Sequence, residues 1–337
     1  MINNIKKIIV IAEACDNHFG SIKNAFKMVD LSKKAGADVI KFQHHLPDEE
    51  MLRSVPRSKN FKISLYNFLK KYALKIEDHY KIKKYCEQKK IKYLCTPFSI
   101  KAAEEINKLG VDCFKIGSGE FLDLFYIEKI IKFKKDLIFS TGMSTENEIN
   151  FMYKKLLKLK NQKQNIAFMN CTSEYPPDIS DLNIGYIAKM INNYPKFIIG
   201  HSDHTNDIHT SIVAISLGAK IIEKHVHLDG LNYGPDKDVS ISFAKLGELT
   251  SIIKKLQPSL GNKKVINKKE EIIRSWAHRS IVLINDLKKG SVIKIEDITT
   301  KRPGIGIPSL RYKDVLGKKL KKNVKKNTLL QMEDFIN

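Results

Sequence analysis

The 337-residue chain has no long apolar run: stretches such as Ile8 to Ala12 reach about five residues, where a membrane-crossing helix needs roughly twenty. A spanning segment is excluded, and no membrane partner is expected. Lys6-Lys7 followed by Ile8 to Ala12 imitates a secretory leader, but its apolar part is shorter than the roughly seven residues required, so it reads as a buried strand. Cysteine is scarce and odd in number. Cys15, Cys86, Cys95, Cys113 and Cys171 are scattered with no Cys-x-x-Cys pair, which argues against a disulfide framework and for reduced thiols in a cytoplasmic protein. No Gly-x-Gly-x-x-Gly follows the first strand-like run, and no arginine-rich tract appears.

Charge of one sign is plentiful. Lys and Arg number 59 against 37 Asp and Glu, a formal net charge of +22. Such an excess raises the question of nucleic acid, since neutralising phosphates is the generic source of that affinity. The lysines, however, are spread along the whole sequence, in helix-like stretches (Lys23, Lys27, Lys33, Lys34) and in loops (Lys263, Lys264). This is the pattern of a solvated surface, and no nucleic-acid partner is expected; a basic face for anionic molecules is the alternative. With 42% hydrophobic and 28% charged residues, the chain has the material for a real core.

Short β-branched runs alternate regularly with amphipathic stretches through residue 261. Strands are expected at Lys7–Glu13, Ala37–Gln43, Ile91–Phe98, Val111–Gly119, Asp136–Met143, Asn165–Ser173, Phe197–Asp203 and Lys220–Leu228. Helices are expected to start near Ser21, Ser64, Ile100, Phe125, Thr145, Asp181, Asp207 and Ser242, with Gly36, Gly110 and Gly218 as stops. Eight such units in about 260 residues predict an α/β fold, a (β/α)₈ TIM barrel over 1–261. An open doubly wound sheet is the runner-up, disfavoured by the missing glycine motif. Residues 262–275 read as a polar linker, and 276–337 as a small domain. That domain contains a repeat, Asp286 to Ile298 (DLKKGSVIKIEDI) and Asn323 to Phe335 (NVKKNTLLQMEDF), offset by 37 residues, which suggests internal pseudo-symmetry.

Chemistry in a TIM barrel sits at the C-terminal ends of the strands. Each predicted strand delivers polar residues there: Glu13; Lys41 and Gln43; Thr96; Lys115, Ser118 and Glu120; Ser140; Ser173 and Tyr175; Ser202 and His204; and His225. A lone Ser or Thr in such a place commonly caps a helix or closes a turn. Lys41 and Lys115 differ, because each lies inside an apolar strand (VIKFQ, CFKIGSG), where an unpaired cation is costly. A buried anion would resolve this, and with Ser118 and Ser140 the two lysines would form a site for phosphate and carboxylate groups. His204 and His225 close consecutive strands and can approach one another. With water and substrate oxygens the pair suits Mn²⁺, with Mg²⁺ or Co²⁺ as alternatives; a simple hydrogen-bonded pair is the other reading, and His201, His209 and His227 compete as ligands.

At these residues the sequence resembles the sialic acid synthase family, the phosphoenolpyruvate-condensing nonulosonate synthases. The resemblance covers essentially the whole chain: IAEACDNHFGS (Ile11 to Ser21), GADVIKFQ (Gly36 to Gln43), TPFS (Thr96 to Ser99), FKIGSGE (Phe114 to Glu120), STGMST (Ser140 to Thr145), CTSEYP (Cys171 to Pro176), GHSDHT (Gly200 to Thr205), IEKHVHLD (Ile222 to Asp229) and GPD (Gly234 to Asp236). KRPGIGI (Lys301 to Ile307) and LGKKL (Leu316 to Leu320) are similar to the family's C-terminal antifreeze-like (SAF) domain. The resemblance implies a transferase that condenses phosphoenolpyruvate with N-acetylmannosamine or a close N-acylated hexose. It implies a domain-swapped homodimer in which Arg302 meets the acceptor's N-acetyl group. Glu120, Glu13, Lys41 and Lys115 are then the catalytic candidates. Gln43, Thr96, Ser118, Ser140, Ser173, Tyr175, Ser202, Asp236 and Arg302 are candidates for substrate, and His204 and His225 for the metal. CTSEYP resembles legionaminate-type relatives, whereas DEEM (Asp48 to Met51) and ISLYNFLKKYAL (Ile63 to Leu74) favour the N-acetylneuraminate type. Legionaminate or pseudaminate synthesis from a 2,4-diacetamido-6-deoxy hexose is therefore the alternative activity, and a non-catalytic polyanion- or nucleic-acid-binding barrel the alternative of another class.

Overall fold

The structure is a computed structural model that describes residues 1–2, 7–56, 63–230, 234 and 236–336. The chain divides into two compact units, Met1–Leu260 and Gly261–Asn337. In the first, eight parallel strands follow one another: β1 (Ile9–Glu13), β2 (Val39–His44), β3 (Lys92–Pro97), β4 (Cys113–Ile116), β5 (Asp136–Ser140), β6 (Ile166–Cys171), β7 (Ile198–Asp203) and β8 (Ile221–His227). The hydrogen-bonded order β3-β2-β1-β8-β7-β6-β5-β4 leaves β3 and β4 lying side by side, so the sheet curls into the expected (β/α)₈ barrel. A two-residue strand, β9 (Ile241–Ser242), pairs parallel with Val226 and His227 at the C-terminal end of β8.

Because side chains alternate along a strand, each one feeds two environments. Outward-facing residues such as Val10, Ile40, Phe114, Phe139, Phe168 and Ile222 pack beneath the helices. Inward-facing Ile9, Ile11, Val39, Leu94, Cys113, Ile138, Ala167, Met169 and Ile221 fill the barrel's lower interior together with Ile2. Two positions further along, the same inward series turns polar: Glu13, Lys41, Thr96, Lys115, Ser140, Ser202 and Glu223. Gly200 belongs to this interior, where an added Cβ would fall 2.4 Å from Met169 Sδ and 2.7 Å from the Ile221 carbonyl oxygen.

The helices start where the capping residues predict, with Ser21, Ser64, Ser99, Asp123, Thr145 and Ser242 each accepting a backbone N–H of the first turn. Gly36, Gly110 and Gly218 follow helix ends at φ of +83°, +72° and +109°, the left-handed conformation that glycine adopts without cost. Three elements differ from expectation. The helix beginning after Ser64 is two helices, Leu65–Tyr72 and Ile76–Lys89, because Ala73 leaves the helical region (ψ 138°) and Leu74 is drawn into the core. Near Asp181 there is only a single 3₁₀ turn, Ile179–Leu182, and the helix starts at Tyr186. Strand β4 stops at Ile116, since Gly117-Ser118-Gly119 turn away from the ladder.

In the second unit, helix Lys268–Ala277 occupies much of the polar segment before residue 276. Asn267 caps it, and Glu270 and Glu271 complement its N-terminal dipole. Strands β10 (Ser280–Leu283) and β11 (Ile298–Lys301) pair antiparallel. The repeat is realised as a pseudo-twofold: Leu287 and Val324 exchange both backbone hydrogen bonds at 2.9 Å. Likewise the Lys289 N–H donates to Asn323 Oδ1 and the Lys326 N–H to Asp286 Oδ1, both at 2.8 Å. Equivalent apolar positions, Leu283 with Leu320, Ile293 with Leu330 and Ile298 with Phe335, share one small core.

Candidate functional site

Where the inward series becomes polar, a cavity of about 530 Å³ opens at the C-terminal ends of the strands. Its walls include Glu13, Lys41, Gln43, Thr96, Lys115, Ser118, Glu120, Ser140, Ser173, Tyr175, Ser202, His204, His225 and Asp236. Fourteen of the fifteen candidate residues are thus brought together. Arg302 belongs to the second unit, where its Nε donates to the Ala277 carbonyl at 3.0 Å and its guanidinium lies over the Trp276 ring at 5.8 Å. Pro235 of the GPD motif lies outside the described residues. Of the competing histidines, His201 hydrogen-bonds the Asn170 carbonyl (3.0 Å), His209 is exposed beside Asp207, and His227 faces a separate hollow with Lys237 and Lys245.

Strand register builds the centre. Glu13 sits opposite Lys41 on one side and His225 on the other, Gln43 opposite Thr96, and Ser202 opposite Glu223. Both lysines are buried, and their anion is Glu223, which stands in the IEKHVHLD motif outside the candidate residues. Its Oε1 lies 3.1 Å from Lys41 Nζ and 3.8 Å from Lys115 Nζ, and accepts from the Ser202 hydroxyl at 3.0 Å. The expected need for a bound anion to neutralise the lysines is therefore met, in part, by the protein itself. Glu223 precedes His225 by two residues, so strand parity was the signal that would have placed it. Lys115 also donates to Ser140 Oγ (2.6 Å), while Lys41 reaches Glu13 Oε2 (3.3 Å) and Thr96 Oγ1 (3.4 Å).

Burial would raise the Glu223 carboxyl, but the charges of Lys115 and Lys41 outweigh it and hold it down at about 2. Burial opposes the charged form of Lys41 too, yet Glu13 and Glu223 keep it above the usual range. Lys115 is lowered, by burial first and by the charge of Lys41. Burial pushes Glu13 up to about 7 against the pull of Lys41, and Glu223 adds to the rise. Glu120 is also raised to about 7 by burial; its Oε2 is shut off from solvent without a hydrogen-bond partner. Two carboxyls thus stand ready to exchange protons near neutrality.

Next to this charged floor the two imidazoles meet edge to face, with ring centroids 5.2 Å apart. His204 Nδ1–H donates to the Thr172 carbonyl (2.7 Å), which leaves the Nε2 lone pair directed at the cavity side, 3.4 Å from the Tyr175 hydroxyl. Burial lowers His204 to about 4 and His225 well below its usual value, so both rings are neutral, the form that ligates metals. His225 Nδ1 has no hydrogen-bond partner and lies 3.8 Å from Asp236 Oδ2. Cys15, His225 and Asp236 offer ligand atoms that all lie within 4.8 Å of one another. The donor set fits a divalent ion.

Sequence reasoning missed several other wall residues. His45 stacks on Phe98 (4.3 Å), and its ring nitrogens meet Glu50 Oε1 (3.0 Å) and Gln43 Oε1 (2.9 Å), so it braces the Gln43 amide that donates to Glu13. Asp16 is raised to about 6 by burial. Met51, Leu65, Leu69 and Met143 add an apolar rim. These come from loops and from the helix Leu65–Tyr72, where no strand period marks an inward-facing position.

Residues 28–265 match the NeuB family and residues 278–336 the SAF domain. The chain is 33% identical over 335 residues to N,N'-diacetyllegionaminic acid synthase of Campylobacter jejuni, covering 97% of this chain and 100% of that protein. It is 31% identical over 340 residues to a pseudaminic acid synthase of the same species, covering 99% and 98%. Among solved structures it is similar to the N-acetylneuraminic acid (sialic acid) synthetase of Leptospira borgpetersenii in complex with citrate, with a TM-score of 0.73 and 27% identity over 81% of this chain and 94% of that one. The chain belongs to the NeuB family, a (β/α)₈ barrel followed by a SAF domain.

Proposed function

We propose that this protein condenses phosphoenolpyruvate with the open-chain aldehyde of N-acetylmannosamine or a close N-acylated hexose, giving a nine-carbon 2-keto sugar acid and phosphate. The observation that carries the reading is the pair of buried lysines over Glu223, beside two neutral imidazoles, in the mouth of a NeuB-family barrel. A divalent ion, Mn²⁺ in the first instance, would be held by His204 and His225 and supply Lewis-acid polarisation of the aldehyde oxygen. Lys41 and Lys115, with Ser118, Ser140 and Ser202, hold the carboxylate and phosphate as preorganised donors, so that carbon 3 faces the aldehyde carbon. Glu120 accepts a proton from the water that adds to carbon 2, with Glu13 as the alternative base, and phosphate departs by carbon–oxygen cleavage. Gln43, Thr96, Ser173, Tyr175 and Asp236 give the acceptor's hydroxyls directional partners, and Arg302 of a second copy of the chain, in the swapped homodimer, serves its N-acyl group; a purely apolar pocket would discriminate such sugars poorly.

A second acceptor, a 2,4-diacetamido-6-deoxy hexose, is favoured by the higher identity to the legionaminic relative. Phosphate release from phosphoenolpyruvate, measured across both acceptor types, tests the proposal. Release with one N-acylated hexose, abolished by chelator and restored by Mn²⁺, is expected. No release with any, or full release in excess chelator, refutes it.

A further inference from the structure

We propose that Cys15 is itself a metal ligand, so that the ion site of this protein is a mixed sulfur, nitrogen and oxygen site that binds Zn²⁺, Co²⁺ or Fe²⁺ more tightly than Mn²⁺ or Mg²⁺ while still accepting Mn²⁺. The inference rests on the ion-dependent reading above and deepens it. Four observations converge. Cys15 is buried yet lines the cavity wall, immediately past the end of β1, where the chain enters the left-handed region (φ 46°) and turns the side chain over the mouth. Its thiol donates to Asp236 Oδ2. The ligand atoms of Cys15, His225 and Asp236 lie within 4.8 Å of one another, close enough to surround one ion with small side-chain adjustments. His225, only 5% exposed, has an unpartnered Nδ1 beside Asp236.

A buried ring nitrogen without a partner is costly, and a thiol hydrogen-bonded to a buried carboxylate leaves concentrated negative charge once its proton is released. A divalent cation satisfies both. The thiolate and carboxylate supply two negative charges and His225 a neutral nitrogen, while the His204 ring meets that of His225 edge to face beside this group. A thiolate changes what such a site prefers: sulfur ligands favour borderline and softer ions, whereas Mn²⁺ and Mg²⁺ prefer oxygen. Binding displaces the Cys15 thiol proton to solvent, and no electron is transferred.

Cobalt reports the bond directly, since a thiolate bound to Co²⁺ gives a near-ultraviolet charge-transfer band that oxygen and nitrogen ligands do not. The full chain, stripped with chelator, is titrated with Co²⁺ alone, with bound metal counted after dialysis. The expected result is a band that saturates at one Co²⁺ per chain. It should vanish in Cys15→Ser, which keeps a hydrogen-bonding group of similar size, and in Cys15→Ala. It should persist in Cys171→Ala, the control for the other cysteine lining the cavity. Displacement should follow the same logic: Zn²⁺ removes the Co²⁺ far more effectively than Mn²⁺ in the unmodified chain, and Cys15→Ser loses much of that preference. One bound Co²⁺ without the band, or a band unchanged in both Cys15 variants, overturns Cys15 as a ligand and leaves the histidine site intact. No bound Co²⁺ overturns both this proposal and the ion-dependent reading.

Discussion

Glu223 shows how much one side chain decides. Two ammonium groups inside a strand barrel repel each other and lose hydration, and the carboxylate between them is what allows both to stay charged. Glu223→Gln leaves two buried cations facing a neutral amide, so the chain should lose about 3–5 kcal/mol of stability, measured by urea unfolding. The second variant Lys41→Met/Glu223→Gln should lose less than the sum of its parts, because it removes charges of both signs.

Glu120 carries the opposite kind of strain. Its carboxyl is raised from 4.5 to about 7 in the folded chain, so the native state binds a proton that the unfolded chain has released. That contribution is fully present below the unfolded value and is lost as pH rises through the folded value, so stability declines from about pH 4.5 to about pH 7. Glu120→Gln removes the decline: its melting temperature should exceed that of the unmodified protein at about pH 8 and match it near pH 4. If Glu120 is the base, its active form is the carboxylate, so turnover of the unmodified protein should rise through about pH 7, and the variant should lose on the order of a hundredfold or more in kcat.

At the scale of elements, strand parity sorts neighbours into different work. At the end of β7, Ser202 and the following His204 enter the cavity while Asp203 between them points outward. There Asp203 pairs with Lys224 of β8 (3.2 Å) and accepts from Thr205, Thr210 and Ser211. Asp203 therefore fastens the helix His209–Ser216 to the strand end, and its charge belongs to the scaffold. The loop after β5 is fitted as tightly: a Cβ on Gly142 would fall 2.2 Å from Ser173 Oγ and 2.8 Å from Ser118 Oγ. Gly142→Ala should push both hydroxyls aside, lowering kcat/KM about tenfold or more, with little change in the far-ultraviolet circular dichroism spectrum. A 1 Å displacement in a preorganised site is enough for losses of this size.

For the whole molecule, the two units draw on different sequence logic. The barrel unit alternates strand and helix and places its chemistry at one rim; the second unit folds by two copies of one motif that cap each other. Arg302 lies in the second unit, on the strand-to-turn segment after β11, beside Trp276. Arg302→Ala should raise the KM for the N-acylated hexose about tenfold or more, leaving the KM for phosphoenolpyruvate nearly unchanged in steady-state kinetics. Equal changes in both would argue for a general structural role. No helix among the described residues is long and apolar enough to cross a membrane.

The sequence by itself determined the barrel, its eight strands, the helix caps, the pseudo-symmetric repeat and fourteen of the residues that gather in one cavity. These are legible because period, capping and the polar end of each strand are local signals, and β-strand geometry converts them into direction. What only the tertiary structure decided is who neutralises whom. Glu223 between the lysines, Gln43 donating to Glu13, and Cys15 against Asp236 each depend on elements far apart in the chain meeting at a particular register. Charge compensation in a buried site acts over a few ångströms, and no local pattern records which distant residue will lie within that range.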